Sequence, residues 1–179
     1  MDPARQQFKD KIYLDMAKKV AELSKDENTK IGCIIMSKEG TPVSHGYNGT
    51  VAGFDDRYIP HNREKAYLSY WRGPELIKFT DNKHNYMIHA ERNAIRFADP
   101  DKLEGSTLYI NNLPCKDCAL AIASHKIAKV MVSTTKVDEG STVGNDSEVT
   151  EFIFAQAGIV LVINGKEKFL HRSNKSQIT

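Results

Sequence analysis

The 179-residue chain has no run of about 18 apolar residues, so its sequence offers no helix able to cross a membrane. Cysteine is scarce. Cys33, Cys115 and Cys118 are the only three, too few and too odd in number for the disulfide framework of a small secreted domain. Charge of one sign is missing as well: 25 Lys and Arg against 23 Asp and Glu leave a net charge of +2, far from the concentrated basic footprint that binding a nucleic-acid polymer requires. No internal repeat or low-complexity tract is present, which excludes solenoids and arrays. The start of the chain carries Asp2, Arg5, Lys9 and Asp10 with no apolar stretch behind them, so no signal peptide is read there and a reducing cytoplasm is expected. What remains, 40% hydrophobic and 27% charged residues, is the balance of a globular fold, and the length suits one domain over residues 1–179.

Hydrophobic patterning divides the chain into α/β units. Over residues 4–23, Phe8, Ile12, Met16, Val20 and Leu23 recur at three- and four-residue steps, which predicts a surface helix with that stripe against the core. Residues 31–36 and 42–47 read as two strands joined by a tight turn at Lys38-Glu39-Gly40. The pattern then loosens over about forty residues. There, residues 63–71 are compatible with a helix, 80–85 are polar, and 57–85 read as a less regular insertion; its Arg57, Arg63, Lys65, Arg72 and Lys78 could cover the site or engage phosphate, but solvated surface charge is the better reading. Beyond it come a helix at 88–98 stopped by Asp99-Pro100, a strand at 107–110, a helix at 115–125, a strand at 129–133, a helix at 148–156 and a strand at 159–163. Helices alternating with strands favour parallel strands covered by helices, and the opening hairpin makes the sheet mixed.

Two short motifs carry chemistry. His89-Ala90-Glu91 opens one predicted helix and Pro114-Cys115-Lys116-Asp117-Cys118 opens another. Cysteines three apart share a helix face and can reach one ion, and a helix N-terminus lowers a thiol's pKa toward the thiolate that binds zinc. With His89 they make three protein ligands, which leaves the fourth position of a tetrahedral Zn²⁺ for water, the arrangement of a catalytic site. Residues two apart diverge by roughly 200° inside a helix, so His89 and Glu91 can serve one site only at a helix start, where they stand. A carboxylate beside the metal can take a proton from water activated there and return it to a leaving group. A redox pair shares the Cys-x-x-Cys spacing, but here Pro114 precedes it and the aromatic and glycine setting of such a pair is missing. Cys33 lies inside an apolar strand and reads as a core thiol. His45, His61, His84, His125 and His171 have no partner motif and read as surface or ordinary core residues.

His-x-Glu with Pro-Cys-x-x-Cys is the signature of zinc deaminases acting on nucleobases. Four blocks narrow it: Gly46-Tyr47-Asn48-Gly49 with Gly53-Phe54-Asp55-Asp56, residues 86–95, residues 107–119, and Ala157-Gly158-Ile159. On these the chain resembles the deoxycytidylate (dCMP) deaminases of the cytidine-deaminase superfamily, bacteriophage members included. The resemblance implies a three-layer αβα fold with a five-stranded mixed sheet. It also implies hydrolytic deamination of dCMP to dUMP with release of ammonia, feeding thymidylate synthesis, with one catalytic Zn²⁺ on His89, Cys115 and Cys118 and with Glu91 as proton shuttle. By the same resemblance Asn48 would contact the nucleoside, Tyr109 would lie near the base or phosphate, and the backbone at Leu113 would accept from the exocyclic amine.

Members of the family are commonly hexameric, activated by dCTP with Mg²⁺ and inhibited by dTTP; Gly46, Tyr47, Asn48, Gly49, Asp55 and Asp56 occupy the segment resembling their effector site. The expected partners are thus a small nucleotide, dCTP or dTTP, and further copies of the chain, with no nucleic-acid polymer and no membrane. Two departures stand out. Val51 replaces the proline of the usual Asn-Gly-x-Pro, and no cysteine lies between Asn48 and Ile88 to build a second, structural zinc site. The rival readings are another zinc deaminase, for free cytidine or a 5-substituted dCMP, and a non-enzymatic zinc-containing nucleotide sensor.

Overall fold

The computed structural model describes residues 2–55, 57–59, 61, 66–134, 144–168 and 170. Along the chain run α1 (Pro3–Ala21), β1 (Gly32–Met36), β2 (Pro42–Tyr47), β3 (Gly49–Thr50), β4 (Ala66–Arg72), β5 (Glu75–Asp81), β6 (Met87–Ile88), α2 (Ala90–Arg96), β7 (Thr107–Ile110), α3 (Lys116–Ser124), β8 (Lys129–Val132), α4 (Gly144–Ala157), β9 (Val160–Ile163) and β10 (Lys166–Lys168). The central sheet has the order β10-β9-β8-β7-β1-β2. β7, β8 and β9 are parallel, β1 is antiparallel to both β2 and β7, and β10 is antiparallel to β9.

Side chains alternate across this sheet and make two cores. Cys33, Ile35, Leu108, Ile110, Val130, Val132 and Leu161 face Ala90 and Ala94 of α2, Ala119 and Ile122 of α3, and Phe154 of α4. Ile34, Met36, Tyr109, Met131 and Val162 face α1 on the other side. The expected three-layer αβα architecture with a mixed sheet is the one observed. Its sheet has six strands rather than five, because Asn164 and Gly165, at φ 51° and 74°, form a two-residue turn that folds β10 back along β9. An Asn-Gly pair is well suited to such a turn, since both positions need positive φ.

Two local expectations are corrected. The residues 66–71 included in the helix-compatible patch are strand: β4 and β5 form a regular hairpin closed by the Gly73-Pro74 turn, with Gly73 at φ 59°. Tyr67, Tyr70 and Trp71 are β-favouring side chains, which outweighs the helical spacing. In α1 the period is right, but of the expected stripe only Val20 packs on the core, and Phe8, Ile12, Met16 and Leu23 are exposed. Phe8 is 65% exposed and Met16 45%, whereas Ala17, Ala21, Tyr13, Leu14 and Val20 meet the sheet side. A Cβ on Gly32 would lie 2.1 Å from the Ala17 carbonyl oxygen, so the helix rests directly on β1 and only a small-residue face fits there. Among the described residues, no helix is long and apolar enough to cross a membrane.

Candidate active site

The site forms where two helices begin. His89 occupies the N-cap of α2 and Cys115 the N-cap of α3; both have extended backbones, and neither spends its side chain on a capping hydrogen bond. Both side chains are therefore available to a shared centre. Cys115 and Cys118 Sγ each lie 3.4 Å from His89 Nδ1, and all three ligand atoms fall within 4.8 Å of one another. Tetrahedral bonds of 2.3 Å to sulfur and about 2.05 Å to nitrogen would separate S from N by about 3.6 Å. One imidazole and two thiols at this spacing fit Zn²⁺.

The two cysteines share their protons unequally. Cys115 is pulled down to about 3, first by the hydrogen bond from Cys118 and also by one from His89. Cys118 moves the opposite way, because it supplies the proton of that bond and is desolvated. His89 is raised by its hydrogen bond to Cys115. Glu91, in the first turn of α2, is 3% exposed, and burial raises its pKa above the usual carboxylate range. A buried carboxyl in contact with Cys118 of the ligand cluster is placed to hold and pass a proton. Cys33 is wholly buried in β1, as expected of a core thiol, and burial raises its pKa well above that of a free thiol.

Strand β2 seats this machinery. A Cβ on Gly46 would stand 2.3 Å from the Ala90 carbonyl oxygen and 2.4 Å from the Ala94 nitrogen, so only glycine lets α2 lie this close. On either side of that contact the Ser44 hydroxyl donates to the Ala94 carbonyl at 2.7 Å and the Asn93 amide donates to the Tyr47 carbonyl at 2.8 Å. Pairing of β3 with β6 then delivers the chain to His89.

The loop between α1 and β1 is tied down by three distant side chains. Asn48 accepts from the Ile31 N–H and donates to the Thr29 carbonyl, both at 2.8 Å. Asn111, just after β7, accepts from Gly32 and donates to Lys30. Lys83 reaches Asp26 at 2.6 Å with both side chains only 4% exposed, and also donates to Asn28. Lys83, Asp26 and Asn111 were not singled out in the sequence. Their partners lie 57 and 79 residues away, and no local pattern marks such pairs.

Other expected residues fall into three groups. Leu113 precedes Pro114 at the entry to α3, half-buried against the core. Tyr109 is not brought to the cluster: it points to the α1 face, its ring against Tyr13 and its hydroxyl donating to buried Asp10 at 2.7 Å. Leu108 and Ile110 are the β7 residues on the face of α2 and α3. Of the proposed effector residues, Gly46, Tyr47 and Gly49 line a groove of about 650 Å³ beside β2, together with Phe54, Asn93 and Phe97. None of His89, Glu91, Cys115 and Cys118 lines that groove. Asn48 does not line it either, and Asp55 pairs with Arg57 at 2.6 Å. Asp56 lies outside the described residues.

Comparison with known proteins bears directly on this site. Residues 7–134 match the model of the cytidine and deoxycytidylate deaminase zinc-binding region. The chain belongs to the cytidine and deoxycytidylate deaminase family. A probable deoxycytidylate deaminase of Caenorhabditis elegans is 37% identical over 66% of this chain, which spans about half, 53%, of the worm protein. The deoxycytidylate deaminase of Enterobacteria phage T4 is 32% identical over 96% of this chain and 97% of its own length. The crystal structure of a dCMP deaminase from cyanophage S-TIM5, solved with dCMP and dUMP, superposes with a TM-score of 0.60 over 91% of this chain and 98% of its own, at 22% identity. That likeness establishes the shared fold. For a deaminase of this family, the His89, Cys115 and Cys118 set falls within the matched zinc-binding region.

Proposed function

We propose that this chain hydrolyses dCMP to dUMP and ammonia. The observation that carries the proposal is Glu91, buried at the start of α2 against a three-ligand cluster of zinc geometry. A metal held only for structure has no use for a desolvated carboxylate beside it.

Zinc bound by His89, Cys115 and Cys118 would supply Lewis acidity that makes water a nucleophile at neutral pH. The remaining work falls to Glu91. Its carboxylate takes one proton from water and passes it to N3 of the cytosine, which makes C4 electrophilic. The oxygen bonds to C4. Glu91 then takes the second proton from that oxygen and hands it to the exocyclic amine, the C4–N4 bond breaks, and ammonia leaves. Burial suits Glu91 to this, because desolvation raises its pKa and makes the carboxylate a better proton acceptor than a solvated one. The carbonyl at Leu113 and the nucleoside-side Asn48 are proposed to orient the base and sugar, as the resemblance implies.

The monophosphate preference rests on the named relatives, regulation by dCTP with Mg²⁺ and by dTTP and hexamer assembly rest on the family resemblance, and a cytoplasmic location rests on the sequence reading alone. The groove that includes Gly46, Tyr47 and Gly49 is proposed as the effector site. A product assay with dCMP, 5-methyl-dCMP, cytidine and dCTP, each with and without dCTP and Mg²⁺ as effector, tests the reading. Conversion confined to the monophosphates supports it. Equal conversion of cytidine would assign the free nucleoside instead, and nucleotide binding without any product would make the protein a sensor.

A further inference from the structure

The β4–β5 hairpin has no task in this catalytic reading, and it pairs with no other described strand. A two-stranded hairpin is marginal by itself in water. Here it also presents large apolar side chains, with Tyr67 93% and Trp71 69% exposed on one face. Among the described residues no strand pairs the other edge of β4, and that edge has little protection of its own: residues 66–71 contain no charge and no proline, Arg72 brings a charge only at the end beside the turn, and the register against β5 runs from Ala66↔Asp81 to Arg72↔Glu75 without a bulge. β5 differs, because Lys78 stands at its middle.

The direction of the free backbone groups follows from the turn. The Gly73-Pro74 loop closes Arg72 against Glu75 as a hydrogen-bonded pair. Antiparallel pairing alternates, so Leu68 and Tyr70 bond inward to β5, while the N–H and C=O groups of Tyr67, Ser69 and Trp71 point to the open edge.

We propose that the β4 edge docks against β4 of a second copy of this chain, about a two-fold axis at Ser69, to make a four-stranded antiparallel sheet across the dimer. This register pairs the whole strand and uses all three outward-pointing residues. Ser69 faces its own counterpart, Tyr67 faces the second copy's Trp71, and Leu68 faces the second copy's Tyr70. The exposed aromatics thereby become cross-strand pairs, the contacts that stabilise sheets. Pairing through β5 about its centre would instead set Lys78 against its own counterpart, which is unfavourable. The interface is self-complementary, as a two-fold contact must be. It is separate from the zinc cluster and from the groove beside β2, so it stands independently of the substrate assignment.

Cross-linking tests it on the full chain loaded with zinc. Hydrogen-bonded cross-strand residues have Cα atoms about 5.5 Å apart, within the span of a disulfide. Under mild oxidant and on a non-reducing gel, Ser69→Cys is expected to shift from 20.1 kDa to a band of a covalent dimer, while Lys78→Cys and the wild type do not. Ser69→Pro removes only the outward N–H and leaves the β4–β5 ladder intact. By sedimentation it is expected to weaken association by roughly tenfold or more, the scale of losing two edge donors at the axis, with turnover per chain retained. A wild type that sediments as a monomer, cross-linking by Lys78→Cys and not Ser69→Cys, or unchanged association of Ser69→Pro would each overturn the proposal.

Discussion

Replacing Gly46 by alanine tests how the sheet positions the chemistry. The added Cβ would stand 2.3 Å from the Ala90 oxygen, 2.4 Å from the Ala94 nitrogen and 3.0 Å from the Ala94 Cα. All are atoms of the α2 backbone, so no flexible side chain can move aside. Ordinary carbon–oxygen contact needs about 3.5 Å, and relief therefore requires α2 to lift by about 1 Å. That helix has only seven residues, with His89 at its N-cap and Glu91 in its first turn, so a shift there moves a metal ligand and the proton carrier together. Overpacking of this kind costs about 1–3 kcal/mol of stability, and a 1 Å misplacement of reacting groups can cost about 10²-fold in rate. Loss of cytosine absorbance follows turnover, a chromophoric chelator reads zinc content, and a melting curve reads stability. Gly46→Ala is expected to lower the melting temperature, weaken zinc retention and reduce turnover by about two orders of magnitude. Wild-type turnover with an unchanged melting temperature would show that the contact between β2 and α2 does not position the site.

Three further outcomes follow from the geometry. Tyr109→Phe removes the hydroxyl that meets buried Asp10 on the α1 face, so it should cost about 1–3 kcal/mol in urea unfolding while kcat for dCMP stays near wild type; a selective collapse of kcat would return Tyr109 to the substrate site. Asp26→Asn leaves Lys83 as an uncompensated buried charge and should cost about 3–5 kcal/mol, whereas replacing both residues by apolar ones should cost less; equal losses would mean that the pair contributes little. Zinc uptake should release protons and weaken as pH falls. Cys115 is already a thiolate at neutral pH, but Cys118 holds its proton until the metal displaces it, so acid opposes loading. Chelator competition at pH 6 and pH 8 reads this, and equal affinity at both would contradict it.

The zinc cluster was legible because its parts are local. A His-x-Glu and a Cys-x-x-Cys at two helix starts state their own geometry, and Cys33 lay inside a strand that could only be core. Where placement depends on which side of an element faces in, the residues were less informative. Tyr109 differs from Leu108 and Ile110 only by the parity of β7, and the α1 stripe was displaced because Gly32 admits a helix face of alanines. β10 consists of Lys166, Glu167 and Lys168 with no apolar pattern, and only the Asn164-Gly165 turn before it marks the hairpin. Gly73-Pro74 likewise closes the β4–β5 turn, within a segment whose spacing reads as compatible with a helix. The Asp26–Lys83 pair joins residues 57 apart and becomes visible only in three dimensions.

Glu91→Gln carries the most direct test of the central claim. The substitution keeps the shape of a side chain that is 3% exposed but removes its ability to take up and return a proton. Zinc content and dUMP formation from dCMP are measured on the same preparation. Zinc binding unchanged at one ion per chain, with turnover lowered by at least about 10²–10⁴-fold, is the expected result. Near wild-type dUMP formation by the zinc-loaded variant would contradict the account.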